Sequence, residues 1–251
     1  MRSLQLDLSK YDSDKIENRY LERYDPILEP FLGRQIALLE LGIAKGGSLM
    51  LWNDYFPLAT IVGVDTELPK GFHPPPRVHI FEGSQTDTEF ITSVANDTAP
   101  DGFDIIIDDA SHIGEFTKVS FWHLFDNHLK PGGLYAIEDW GTGYWDDWPD
   151  GKSMDLDESQ RKPPTRSLLW LKWLWWLKWV RWLRWLNIAT LPPKPSWPCH
   201  SYGMVGFVKQ LVDEQGASDV TRKNLGSEPK RESRFETVTI CPSIVFIRKR
   251  A

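Results

Sequence analysis

At 251 residues, with 41% apolar and 25% charged residues, the chain has room for one soluble α/β domain carrying an insertion. A net charge of −6, with no Lys/Arg run suited to tracking phosphates, argues against a nucleic-acid partner. Two cysteines, Cys199 and Cys241, are too few for a disulfide framework and fit no zinc spacing, so they are expected to be reduced thiols.

Met1 to Lys15 is polar and has no apolar stretch of the kind a secretory signal needs, which predicts a cytoplasmic chain. Residues 13–31 are expected to be helical, with Asp12 or Ser13 as N-cap and Pro26 kinking or dividing the segment. The apolar run Ile36 to Leu41 suits a buried parallel strand. It breaks at Gly42-Ile43-Ala44-Lys45-Gly46-Gly47-Ser48, and Leu49 to Tyr55 follow as a helix. Strand, glycine turn and helix form the opening unit of a nucleotide-binding α/β fold, although the spacing is not that of a pyrophosphate cradle. Gly42, Gly46 and Gly47 would let backbone approach a ligand, and Glu40 could bond a ligand amine. The second strand, Thr60 to Val64, ends at Asp65, where such folds hold ribose hydroxyls.

A third strand, 78–81, leads into Glu82-Gly83-Ser84-Gln85-Thr86-Asp87 and a helix over 87–96. The fourth, 103–112, contains Ile105-Ile106-Ile107-Asp108-Asp109-Ala110-Ser111-His112. A buried strand that runs into acids delivers them to the ligand-binding edge of a sheet. After a helix over 116–129, stopped by Pro131-Gly132-Gly133, the fifth strand (134–138) ends in Glu138-Asp139. Adjacent strands ending in acids, with one imidazole beside them, predict a divalent-metal site with a general base. Asp109 or Ser111 could instead cap the following helix. Asp108 is expected either to contact a cofactor or to support the turn, and Gln85 to contact a ligand or to be a plain turn residue. Trp140, Tyr144 and Trp145 could stack on a ligand ring or simply pack.

The alternation then fails from Trp140 to Pro198. Residues 146–158 carry six acids and are expected to be a solvated loop. Residues 168–186 hold seven Trp, seven Leu, one Val and four cations. Each cation near the centre of a membrane span costs roughly 2.5–3.5 kcal/mol, and each Leu or Val returns only about 0.3–0.6. Spanning is therefore disfavoured, and 166–187 are expected to lie in the plane of an anionic membrane surface. The competing reading is a helix buried against the domain or in a homo-oligomer interface. A helix over 202–215, a polar linker at 226–232 and two strands, 234–240 and 243–249, joined at Cys241-Pro242-Ser243, complete the chain. The domain reading is a helical cap at 1–34, an α/β core at 35–139, an insertion at 140–199 and the rest of the core at 200–251.

In order and spacing, LELGIAKGGSLMLW, GVD, GSQTD, FDIIIDDASH and LKPGGLYAIEDW resemble the class I S-adenosylmethionine-dependent methyltransferases. Within them they resemble the Mg²⁺-dependent sugar O-methyltransferases of macrolide deoxysugars and mycobacterial glycolipids. The resemblance covers roughly 12–140 well and 200–250 only as fold. It implies a Rossmann-like, mostly parallel seven-stranded sheet with a C-terminal antiparallel hairpin, interrupted here by the Trp-rich insertion. By position it places S-adenosylmethionine against Glu40, Gly42, Ser48, Asp65 and Gln85, and Mg²⁺ on Asp109, Glu138 and Asp139, with His112 as base. Ser84 departs from the family's usual acid and Asn18 from its frequent histidine.

The expected activity is methylation of a sugar hydroxyl on a lipid-linked or otherwise hydrophobic glycoconjugate, by a cytoplasmic protein peripheral on the inner face of the membrane. The alternatives are a small-molecule methyltransferase acting on a catechol-like diol or a macrolide sugar, and an inactive membrane-associated scaffold. A NAD-dependent oxidoreductase is disfavoured, because neither G-x-G-x-x-G nor a Tyr-x-x-x-Lys pair is present.

Overall fold

The computed structural model describes residues 1–153, 200–222 and 229–251. The chain divides into two compact units, Met1–Lys152 with Ser201–Ala251, and Ser153–His200. The sheet lies wholly in the first unit. The Trp-rich stretch 168–186, with its expected in-plane helix, lies outside the described residues.

The N-terminal cap is two short helices, α1 (Asp14–Glu17) and α2 (Leu21–Leu28), followed by a 3₁₀ turn at Glu29–Phe31. Ser13 caps α1, accepting from the Lys15 amide. The break falls at Arg19, which has φ 56°, and not at Pro26. Pro26 lies inside α2, where it removes one intrahelical donor without ending the helix. Asn18 closes α1 as its C-cap.

The core follows as β1 (Ala37–Leu41), α3 (Gly47–Tyr55), β2 (Thr60–Asp65), β3 (Val78–Glu82), α4 (Thr88–Thr98), β4 (Phe103–Asp108), α5 (Gly114–Asn127) and β5 (Leu129–Glu138). After α6 (Pro149–Ser153) the described chain resumes with α7 (Gly203–Gln215), α8 (Ala217–Val220), β6 (Phe235–Ile240) and β7 (Ile244–Lys249). The seven strands lie in the order β3-β2-β1-β4-β5-β7-β6. β1 to β5 pair in parallel, and β7 runs antiparallel to both β5 and β6. The C-terminal hairpin expected from the sequence is present, with Ser243 turning it at φ 65°.

Two expectations shift. Pro131-Gly132-Gly133 does not stop a helix but lies within β5, which starts at Leu129 and shifts register against β4 between Phe103 and Ile105. Strand β4 ends at Asp108, so Asp109 to His112 belong to the loop beyond it.

All six residues of β4 are buried, as a central parallel strand covered on both faces requires. Ile105 and Ile107 face the core layer that holds Tyr24 and Trp52, while Ile106 faces the layer that holds Phe121 and Phe125. Each such buried aliphatic stabilises the fold by roughly 1.5–3 kcal/mol. Register then sets the site. Leu41 pairs with Asp108, Asp108 with Ile137, and Leu41 with Val64. One step further along each strand stand Gly42, Asp109, Glu138 and Asp65, side by side at the edge. The chain goes from β1 to β2 on one side and returns to β4 on the other, so this edge is the topological switch point of the sheet.

Candidate active site

A cavity of about 540 Å³ opens at this edge, lined among others by Gly42, Ser48, Asp65, Gln85, Asp109 and His112. Its size is that of a small-molecule site.

The glycine turn is shaped by contacts with protein. Gly42 has φ 93°, and a Cβ there would lie 2.1 Å from the Asp109 carbonyl oxygen; one on Gly47 would lie 1.9 Å from that of Asp12. Both glycines were expected to make room for a ligand. They make room for the loop after β4 and for the N-terminal segment. Asp65 holds the same turn from the other side: its Oδ2 accepts from the amides of Ile43 (2.7 Å) and Ala44 (3.1 Å). Its Oδ1 accepts from the Glu67 amide at 3.3 Å.

Glu40 lies beneath the cavity rather than in its wall. It is fully buried, accepts from Ser48 Oγ (2.8 Å) and Trp52 Nε1 (3.3 Å), and meets the cavity only through Ser48. Burial pushes its carboxyl above the usual range, with the Lys15 ammonium opposing that shift. Gln85 lines the cavity but its amide is committed, donating to Ser120 Oγ (3.1 Å) and Asp108 Oδ1 (3.3 Å) and accepting from the Ser111 amide (3.1 Å). Asp108 is 2% exposed and also accepts from Ser120 and Tyr135. These bonds tie it to the Gln85 turn, to α5 and to β5. Burial raises its pKa to about 6, against the hydrogen bond from Ser120. Ser84 lines the cavity and bonds Thr86.

The acids beyond the strand ends divide into an outer and an inner set. The outer set is Asp109, His112 and Asp139, whose ligand atoms lie within 4.8 Å of one another. His112 Nε2 is 3.8 Å from Asp109 Oδ1 and 4.0 Å from Asp139 Oδ2. His112 and Asp139 both hold φ 51°, a left-handed conformation that costs free energy and clusters at functional sites. Tyr20 donates to the other oxygen of Asp139. Burial raises the Asp139 carboxyl, with the Tyr20 hydrogen bond opposing.

The inner set is Glu138 and Glu40, and between them stands a residue that the sequence reading missed. Lys15 is fully buried. Its Nζ donates to Asp109 Oδ2 (2.6 Å) and Glu138 Oε2 (2.9 Å) and lies 3.3 Å from Glu40 Oε1. Burial alone would lower its pKa, but Asp109, Glu138 and Glu40 hold the ammonium well above the usual lysine range. Glu138, expected among the metal ligands, has both oxygens engaged, one by Lys15 and one by the Tyr24 hydroxyl at 2.5 Å. Burial pushes its carboxyl up, and Lys15 opposes that shift. Carboxylates at buried strand ends demand a counter-charge, and that demand was the available signal for Lys15.

Asp150 was also missed. The acidic run 146–158 was expected to be solvated, yet Asp150 is buried, and its Oδ2 accepts from the amides of Gly114 (2.8 Å) and Met204 (2.7 Å). It thereby ties the start of α5, two residues past His112, to α7. Trp140 packs on the core and donates to the Cys241 carbonyl at 3.0 Å, whereas Trp145 is exposed. Cys241 is a free thiol. Among the described residues, no helix is long and apolar enough to cross a membrane.

Two carboxylates facing outward beside an imidazole suit a hard divalent cation that keeps part of its shell for water or substrate oxygens. The imidazole beside them is placed to exchange a proton.

No family model matches the sequence. Among curated proteins it is 38% identical over 133 residues to mycinamicin VI 2''-O-methyltransferase of Micromonospora griseorubida, covering 50% of this chain and 32% of that protein. It is 36% identical over 155 residues to demethylmacrocin O-methyltransferase of Streptomyces fradiae, covering 55% and 38%. The chain thus spans about a third of the length of the curated relatives it matches. Among solved structures it resembles the MycE methyltransferase of the mycinamycin biosynthetic pathway in complex with Mg and SAH, with a TM-score of 0.63 and 26% identity. That match covers 91% of this chain and 48% of the other. The core of this chain has the fold of the class I S-adenosylmethionine-dependent methyltransferases, and the curated proteins it resembles are sugar O-methyltransferases.

Proposed function

We propose that the chain transfers the methyl group of S-adenosylmethionine to a sugar hydroxyl of a hydrophobic glycoside, with Mg²⁺ as the metal. The observation that carries this is the convergence of Asp109, His112 and Asp139, the first two of which line a cavity on the switch-point edge. The similar MycE structure was solved with Mg and SAH, and also with Mg, SAH and mycinamycin VI.

When bound, S-adenosylmethionine supplies an activated methyl and Mg²⁺ supplies Lewis acidity toward a sugar hydroxyl. Asp109 and Asp139 would hold the ion through the oxygens that face His112. Glu138 supports them by fixing Lys15. His112 would accept the hydroxyl proton at Nε2. Gly42, Ser48, Asp65 and Gln85 would shape the cofactor's end of the cavity, with Glu40 acting through Ser48. Alignment of donor and acceptor is the largest service such a site can render to a displacement on an activated methyl.

The finer reading is a lipid-linked acceptor met at an anionic membrane surface through 166–187. Its support is the composition of that segment, seven Trp among leucines and cations.

The test is methyl transfer from labelled S-adenosylmethionine to a panel of macrolide glycosides and glycolipids, with EDTA and with Mg²⁺ restored. Activity lost to EDTA and recovered with Mg²⁺ supports the reading, and activity indifferent to EDTA overturns its metal part. Removing 165–190 should abolish binding to anionic liposomes while cofactor binding persists; liposome binding that survives the deletion overturns the membrane part.

A further inference from the structure

We propose that Trp148 is a positioning residue for His112: its indole, fixed in place through Asp150, is the wall against which the imidazole rests beside Asp109 and Asp139. The inference rests on the reading of His112 as the base and says what orients it.

A base serves only if its nitrogen comes within about 2.6–3.2 Å of the oxygen it deprotonates, and a misplacement of about 1 Å can cost roughly 10²-fold in rate. Hydrogen bonds do not supply that precision here. The Nε2 of His112 is 3.8 Å from Asp109 Oδ1 and 4.0 Å from Asp139 Oδ2, too far for hydrogen bonds. Among the described residues, no hydrogen bond reaches the imidazole. Its ring contact is with Trp148, the two centroids 5.7 Å apart and the planes inclined at 48°. The indole Nε1 is buried and has no hydrogen-bond partner, so the contact is one of packing.

A wall orients its neighbour only if it is rigid. Trp148 stands in a turn in which its amide donates to the Trp145 carbonyl at 3.2 Å. Two residues on, Asp150 Oδ2 accepts from the amides of Gly114 and Met204. One carboxylate thus serves the first turns of both α5 and α7, where the helix dipoles favour a negative charge. Glycines let these segments meet. A Cβ on Gly114 would lie 2.1 Å from the Gly203 carbonyl carbon, one on Gly203 2.3 Å from Asp150 Cγ, and one on Gly151 2.0 Å from the Trp145 carbonyl oxygen. His112 is therefore held twice. Its backbone, at φ 51°, is fixed two residues on by the bond from Gly114 to Asp150, and its ring is fixed by Trp148. A left-handed non-glycine residue persists where its surroundings over-determine it.

The test reads the imidazole first, by nuclear magnetic resonance of the full chain with labelled histidine and Mg²⁺ present. The His112 ring signals, assigned by their loss in His112→Ala, should be displaced by the Trp148 ring current, with χ1 couplings of a single rotamer. Trp148→Ala should average those couplings and lower kcat by about 10²-fold on an acceptor drawn from the panel above. Acceptor KM and the Kd of S-adenosylmethionine should stay within threefold of the wild type. Trp148→Phe keeps a ring and forfeits no hydrogen bond, so it should recover the single rotamer and most of the rate. In a His112→Ala background, Trp148→Ala should lower kcat by less than a further threefold, because the group it acts through is gone. If Trp148→Ala does not fold, Trp148→Leu is read in the same way. A folded variant that keeps one His112 rotamer overturns the proposal, as does an equal loss of kcat in the two backgrounds. Full kcat in His112→Ala overturns the base reading instead, and the couplings then still measure whether Trp148 holds the ring.

Discussion

The Tyr24 hydroxyl donates to Oε1 of Glu138 at 2.5 Å, and neither side chain reaches solvent. This bond ties α2 to the end of β5, so the N-terminal cap is part of the site's foundation. Burial and the Glu138 charge raise the Tyr24 phenol well above its usual range, which keeps it a donor. Tyr24→Phe would retain the edge-on packing against Trp52 and Phe246 but leave a buried carboxylate oxygen without its partner. The expected cost is about 1.5–3 kcal/mol, the range for a hydrogen bond to a charged group. Urea unfolding of the two proteins measures it. A loss below about 0.5 kcal/mol, the low end for any hydrogen bond, would show that Glu138 does not depend on Tyr24.

Gly42→Ala tests how the glycine turn holds the metal rim. At φ 93°, with the Asp109 carbonyl 2.1 Å from the new Cβ, alanine is strained twice over. Backbone strain alone costs on the order of 1–3 kcal/mol, and Asp109 must move to relieve the overlap. The variant should melt lower and also bind Mn²⁺ at least tenfold more weakly. A lower melting point with an unchanged Kd would separate the turn from the site.

Strand ends were legible because the signals are local. Ile105-Ile106-Ile107 before Asp108-Asp109 marks a buried strand reaching the sheet edge, and Leu134 to Ile137 before Glu138-Asp139 repeats it. The hairpin at Cys241 to Ser243 was visible for the same reason. What stayed hidden was contact across long separations. Lys15 is 94 positions from Asp109 and 123 from Glu138, and nothing around it in sequence distinguishes it from a solvated lysine. Asp150 sits in an acidic run and differs from its neighbours only in the amides of Gly114 and Met204 that fold against it. Glycines were read as points where backbone approaches a ligand; that a backbone carbonyl stands where a Cβ would be at Gly42 and Gly47 is a contact the sequence could not show.

Asp108 should make stability fall as pH rises through the weakly acidic range. Its folded pKa is about 6, raised by burial from an ordinary value of 3.8. Between those values the folded chain holds a proton that the unfolded chain has released, so this group's contribution declines from about pH 4 and is fully lost above about pH 6. Between about pH 4.5 and 7 the decline amounts to roughly 2 kcal/mol. Asp108→Asn cannot ionise and should lack it. Comparing the change in unfolding free energy between the two pH values in each protein cancels any constant offset from the altered hydrogen bonds. Equal changes in the two proteins would mean that Asp108 is ionised in the fold throughout.

His112→Ala separates a base from a ligand. The imidazole lies 3.8 Å and 4.0 Å from the two carboxylates, near enough to border a cation and near enough to meet a hydroxyl bound to one. As the base, its loss should lower kcat by about 10²–10⁴-fold. Binding of Mn²⁺ and of S-adenosylmethionine, measured by calorimetry, should change by less than threefold, because Asp109 and Asp139 keep their oxygens. As a ligand, its loss should instead weaken Mn²⁺ tenfold or more, and excess metal should restore part of the rate. Near-wild-type kcat with weakened metal binding would assign His112 to the ion and leave the proton to another acceptor.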